Sequence, residues 1–244
     1  MKFCRQRHVL AAVTLVLAAL ISSCRTPQPK PEPAAPPVPE VPTPVVPPGP
    51  GRAFQILTAD SEVRILVYRS GKFAKLGHNH VIRSHDLSGL VTLPEDPTQA
   101  RFEIRMPVAP LAIDEPESRA GEGPDFATPV DDNARVGTHR NMMKPQVLDG
   151  DQFPAVTVRS ESIKTGGTEK DFDVTFAIEL RGQTHEMTAP VHVEVQGESL
   201  SARGEMTLKQ TDLGITPFTA AMGALAIKDE LRIKFDIHAA VSVQ

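Results

Sequence analysis

Cysteine is nearly absent from this chain. Its 244 residues hold two, Cys4 and Cys24, so at most one intrachain disulfide could form. Tryptophan is missing, there is one tyrosine, and aromatics make up 5% of the residues, which leaves little from which to build stacking platforms for nucleic acid. Basic residues are not in excess: the formal net charge is −4, the wrong sign for a nucleic-acid footprint. The apolar stretch from Val9 to Ile21 is shorter than the roughly 20 residues a helix needs to cross a bilayer. No G-x-S-x-G elbow, H-E-x-x-H helix or phosphate-cradling G-x-x-x-x-G-K occurs. What is present is an ordinary globular complement, 40% hydrophobic and 23% charged, which excludes a wholly disordered chain.

The first residues read as an address. Lys2, Arg5 and Arg7 form a positive region ahead of Val9–Ile21, as in a secretory signal. The run ends in Leu20-Ile21-Ser22-Ser23-Cys24, which resembles a bacterial lipobox, with Cys24 as the lipidated first residue of the mature chain. An ordinary signal with a chance cysteine is the alternative, but a lone secreted cysteine then has no partner. Arg25, where an aspartate is absent, points to the outer membrane. Removal of residues 1–23 takes away Cys4 and three positive charges, leaving 23 basic against 30 acidic residues, a net of −7 and no free thiol. Acyl chains on Cys24, at about 0.8 kcal/mol per buried methylene, would hold the protein on a membrane.

Proline is plentiful at 23 residues, and the excess is local: 12 of the 24 residues from Pro27 to Pro50 are proline. Such a stretch forms neither helix nor ladder and favours polyproline II. Residues 24–51 therefore read as a lipidated cysteine and spacer, with a proline-rich recognition ligand as the alternative. Residues 52–244 remain for one folded domain.

That domain is written in period two. Phe172, Val174, Phe176, Ile178 and Leu180 alternate with Asp173, Thr175, Ala177 and Glu179. The same alternation recurs in Val191-Val193-Val195, in Leu200-Ala202-Gly204-Met206-Leu208 and from Leu231 to Val243. Each segment predicts a strand with one buried and one wet face. Gly166-Gly167, Arg181-Gly182 and Gly197-Glu198 mark turns between them. Earlier strands are expected over Phe54–Thr58, Val63–Tyr68, Val81–Leu93, Arg101–Val108 and Ala155–Ile163, giving about nine in all, mostly joined as a meander. Residues 114–133 read as an acidic, solvated crossover loop (Asp114, Glu115, Glu117, Glu122, Asp125, Asp131, Asp132) leading into a helix near Asp132–Met143 capped by Asp131 or Asp132. A second excursion is expected over 211–229. The fold class is all-β with one or two short helices; periodicity alone permits a sandwich or a closed barrel.

Several segments together resemble the YceI-like family. They are Gly71-Lys72-Phe73 to Gly77-His78-Asn79-His80, Leu87-Ser88-Gly89, Phe153 to Ser160, Leu180-Arg181-Gly182-Gln183-Thr184-His185, and Gly214-Ile215-Thr216-Pro217-Phe218 to Gly223-Ala224-Leu225. Their order and spacing run through nearly all of the folded part. The resemblance implies an extended antiparallel lipocalin-like barrel of about eight strands that binds an isoprenoid-like or other amphiphilic lipid. It makes Phe73, Val174, Phe176, Ile178, Val193, Met206, Ile233 and Phe235 candidate ligand contacts, with Phe218, Met222 and Leu225 as a flap or mouth.

Histidine supplies the rival chemistry. On a strand His78 and His80 point to one face, a spacing that can chelate zinc, copper or nickel or approach a haem. His85 and Asp86, or His139 and His185, could complete such a site. The alternative is that His78 and His80 cap a glycine turn and hydrogen-bond locally or to a ligand headgroup. Ser84-His85-Asp86 is a triad in letters only, because neighbours on a strand face opposite ways. Asp149-Gly150-Asp151 reads as a turn, lacking the other oxygens of a calcium loop. His192 and His238 stand on wet faces. The expectation is a non-enzymatic, membrane-anchored periplasmic lipid carrier. A histidine-based metal or haem redox accessory, or a ligand-free structural envelope protein, are the alternatives.

Overall fold

The computed structural model describes residues 50–242. The expected signal segment, Cys24 and nearly all of the proline-rich stretch read as a spacer lie outside the described residues. The chain enters its sheet at Arg52, with β1 (Arg52–Ile56), and then forms β2 (Glu62–Ser70), β3 (His80–Ser84), β4 (Ser88–Leu93), β5 (Arg101–Pro107) and the two-residue β6 (Ala112–Ile113). Two helices follow, α1 (Pro116–Ala120) and α2 (Asp132–Met142). Then come β7 (Ala155–Thr165), β8 (Asp171–Leu180), β9 (Gln183–Gln196), β10 (Ser199–Lys209), the short β11 (Thr219–Ala220) and β12 (Leu225–Val241). Among the described residues no helix is long and apolar enough to cross a membrane.

Eight strands close on themselves. The order β1-β4-β5-β7-β8-β9-β10-β12 returns to β1 through Phe54↔Val241 and Ile56↔Ala239, and every pairing is antiparallel. Closure leaves none of the eight with an unpaired flank along the ring, which is how an all-β chain disposes of its edges. The remaining strands form a flange on the long β12. Its first half pairs with β2 (Val67↔Leu231, Val63↔Phe235), β2 pairs with β3, and β3 with β6. β6 and β7 do not pair. There α2 and the turns after it bring Met142, Val147 and Leu148 to the interior wall.

Two expectations need correction. The segment Val81–Leu93 is not one strand. His85-Asp86-Leu87 separates β3, which pairs with β2, from β4, which pairs with β1. The physical reason lies at Leu87 and Gly89. Leu87 is fully buried, and a β-carbon at Gly89 would stand 2.2 Å from the Glu103 carbonyl oxygen, so the chain turns inward and presses its backbone on β5. The acidic crossover is also not simply solvated. It folds back over the outside of the flange, where Phe126 packs with Leu66, Val81 and Tyr68. Burial of Phe126, at 2% exposure, is worth roughly 1.5–3 kcal/mol, enough to fasten the loop. Glu122 has a side chain 1% exposed between Arg64 (3.0 Å) and Lys234 (2.5 Å), and Asp114 is fully buried.

α2 begins as its sequence predicts: Asp131 caps it by accepting the Ala134 N–H at 2.9 Å, and Asp132 sits in the first turn. None of its residues is buried. It lies on the barrel as a polar cover.

Candidate functional site

The alternating residues of the ring point their apolar side chains inward, and these do not meet across the middle. They enclose a cavity of about 440 Å³, inside the 300–1,000 Å³ range of small-molecule sites. The eight-strand ring explains this, since a barrel of that size is just wide enough for one slim ligand. β8 contributes Phe172, Val174, Phe176, Ile178 and Leu180, and β12 contributes Ile227, Leu231, Ile233, Phe235 and Ile237. From Ile227 to Ile237 the lined stretch of β12 is ten residue steps, about 33 Å of strand, or roughly 25 Å along the axis of a tilted barrel. The cavity is therefore long and narrow.

One end of the cavity is fully apolar. Leu87, Leu200 and Ile237 line it, backed by Phe54, Ile56 and Ala239 in a tightly buried cluster. The polar residues of the wall, His80, Thr138, Asn141, Gln210 and Thr216, come from the other elements: the start of β3, α2 and the segment after β10. Among the described residues His80 is the one ionisable side chain on the wall.

Of the sequence-predicted contacts, Val174, Phe176, Ile178, Val193, Met206, Phe218, Ile233 and Phe235 stand on the cavity wall. Phe73, Met222 and Leu225 do not. Phe73 is half exposed and Met222 fully exposed. They belong to two rim loops tied together by the Phe73 N–H donating to the Ala224 carbonyl at 2.8 Å, which places them outside the lumen and not as a flap across it. Phe218 alone among the proposed mouth residues reaches the wall, while remaining 45% exposed.

Two of the clustered histidines face different carboxylates, His80 toward Asp114 and His85 toward Glu115. His80 Nδ1 lies 2.6 Å from Asp114 Oδ2. Asp114 Oδ1 accepts the Val81 N–H at 2.8 Å and the Arg119 Nη1–H at 2.5 Å. Arg119, 5% exposed, also donates to the carbonyls of Asn79 (2.7 Å) and Thr128 (2.8 Å). Burial opposes the charge on Asp114, but the hydrogen bonds from His80, Val81 and Arg119 outweigh it and hold the carboxyl below the usual aspartate range. His78 is half buried, its ring 6.3 Å from that of His80, and His85 faces Glu115 across 3.6 Å. Among the described residues no three His, Cys, Asp or Glu side chains gather as a metal site, so His78, His80 and His85 are not brought together as ligands. His139 contacts the Ala109 carbonyl, and His192 and His238 pair with Asp171 and Asp236 on the outer face.

Sequence reasoning missed Asp114, Arg119 and Asn79 as parts of this site. Asn79 accepts the Arg69 N–H and donates to the Asp125 carbonyl, so the Gly-His-Asn-His motif is also the clasp that joins the crossover to β2. Asp114 lies 34 positions from His80, within an acid-rich run whose composition gives no sign of burial.

A closed antiparallel barrel around one long apolar cavity defines a lipocalin-like architecture, the kind of scaffold that encloses small apolar ligands. The chain belongs to the YceI-like family: the model of the YceI-like domain matches residues 54–239. It is similar in fold to the crystal structure of BcnA from Burkholderia cenocepacia (17% identity, TM-score 0.54, 76% of this chain and 99% of that one). It is also similar to a polyisoprenoid binding domain from Saccharophagus degradans implicated in plant cell wall breakdown (12% identity, TM-score 0.52, 78% and 99%). No curated protein sequence matches the chain.

Proposed function

We propose that this protein is a binding protein, not a catalyst, that holds an isoprenoid-like or other amphiphilic lipid with its chain inside the barrel. The observation that carries this is the continuous apolar cavity of about 440 Å³, long and narrow in the way a single extended chain is. Burial of ten methylene equivalents there supplies roughly 8 kcal/mol before the costs of association. The fold shared with a polyisoprenoid binding domain supports the same ligand class. The lipobox-like Cys24 and the spacer support attachment to the periplasmic face of the outer membrane, with the barrel held away from it to exchange cargo.

Native mass spectrometry of protein purified gently from its source envelope tests the binding. A mass shift matching an extractable lipid is expected; protein that is always empty, and that takes up no added prenyl lipid, overturns the reading. Labelling with palmitate and loss of the label in Cys24→Ala test the anchor.

A further inference from the structure

His80 is where the lumen stops being uniformly greasy. It pairs with Val67, and Val67 with Leu231, six residues along β12 from Ile237 and eight from Ala239, which faces Leu200. At about 3.3 Å per residue that is roughly 20–26 Å of strand between the imidazole and the apolar end. Val81, the next residue, turns outward into the Phe126 cluster, so strand alternation directs His80 and Ile82 to the lumen.

The ring is fixed and so is its tautomer. Asp114 is held with φ at 54°, a left-handed conformation that asparagine and aspartate tolerate better than most residues. Three hydrogen bonds to its carboxylate, together with its own N–H donating to the Val81 carbonyl at 2.8 Å, keep it there. The carboxylate engages Nδ1, so in the neutral ring the proton resides on Nδ1 and Nε2 keeps its lone pair. Among the described residues nothing donates to Nε2. Arg119 already balances the Asp114 charge, and no lysine or arginine lines the cavity among the described residues. A phosphate has no cation to meet on this wall. A hydroxyl has an acceptor waiting.

Resting on the carrier reading, we propose that His80 Nε2 accepts a hydrogen bond from the hydroxyl of the bound lipid, so that the ligand is a long-chain alcohol or phenol with its tail toward Leu200 and Ile237. Asp114 acts as a positioning residue that sets the tautomer. The Gln210 amide nitrogen already donates to the Lys228 carbonyl at 2.7 Å; the other polar side chains on the wall are Thr138, Asn141 and Thr216.

The test compares three C20 probes on the full-length chain at pH 8: geranylgeraniol, its O-methyl ether, which lacks the donor, and its monophosphate. Wild type is expected to bind the alcohol about 5–10-fold tighter than the ether, the worth of one hydrogen bond. In His80→Leu the alcohol-to-ether ratio should fall to about one, and His80→Gln, which restores an acceptor, should recover part of it. Equal binding of alcohol and ether by wild type, a preference for the monophosphate, or a ratio that survives His80→Leu overturns the proposal while leaving the carrier intact. Failure of wild type to bind any of the three overturns the carrier reading and this one with it.

Discussion

The ring of Phe235 fills the space in which a β-carbon at Gly204 would stand: its Cζ is 2.3 Å from that position, and the Pro190 carbonyl oxygen is 2.6 Å from it. The two residues face each other across the β10–β12 ladder, Gly204 opposite Phe235. Glycine here sets how far an aromatic ring can lie back against the wall, and so how wide the lumen is at that level. Gly204→Ala should cost about 1–3 kcal/mol, because the backbone oxygen cannot yield as the ring can. It should also push the ring inward and lower the capacity for a C20 chain; chemical denaturation and a lipid-binding titration read the two effects separately.

Removal of the Asp114 carboxylate should be among the most damaging single changes in the flange. Asp114→Ala leaves the Arg119 guanidinium buried without its counter-charge, for an expected loss of about 3–5 kcal/mol in urea unfolding. Asp114→Asn keeps the shape and part of the hydrogen bonding and should lose less. An equal loss in both would mean that the missing charge alone, and not the hydrogen bonds that asparagine keeps, sets the cost.

Stability should fall on acidification with a contribution from two particular carboxyls. Burial works against the charge on both Asp114 and Glu122, yet hydrogen bonds and ion pairs hold each below its ordinary value, Glu122 through Lys234 and Arg64. A carboxyl depressed in the folded state contributes fully above its unfolded value, about 4, and that contribution is lost as pH drops through the folded value. The difference in unfolding free energy between wild type and Glu122→Gln should therefore be constant from pH 7 to about 5 and shrink below 4.

Filling the lumen should abolish binding without unfolding the barrel. Ile233 stands on the cavity wall on β12, opposite Met206 of β10. Ile233→Trp is expected to weaken uptake of a fluorescent prenyl probe by tenfold or more while the far-ultraviolet dichroism keeps its strand signature. Probe binding unchanged in this variant would place the ligand outside the lumen.

The rim should behave differently. Phe73 and Met222 are exposed and off the cavity wall. Phe73→Ser with Met222→Ser should leave the equilibrium affinity for a soluble prenyl probe within about twofold of wild type. A large loss in that titration would restore these residues to the ligand site.

Much of the barrel was legible because strand periodicity is a local property. The run from Phe172 to Leu180 announces its buried face with no knowledge of its partners, and the Asp131 cap announces α2. The break at His85-Asp86-Leu87 was not legible. It arises from a change of partner, β2 for β3 and β1 for β4, and partners are chosen by residues more than a hundred positions away on β12.

The site divides along the same line. Eight of the candidate contacts could be named from alternation and family resemblance, since inward-facing apolar positions are the same residues whether the interior is solid or hollow. Asp114 could not, because an acid in an acidic, glycine- and proline-rich loop looks solvated until the β3–β6 pairing draws it under His80.

By itself the sequence determined which faces of which strands are greasy and which family the chain belongs to, because these depend on residue type and spacing. Whether the faces meet as a packed sandwich or stand apart around a channel was decided by the closure of β12 on β1 and by the room that Gly204 leaves for Phe235. Ring closure sets a diameter, and a diameter is a property of the assembled strands that no single one of them encodes.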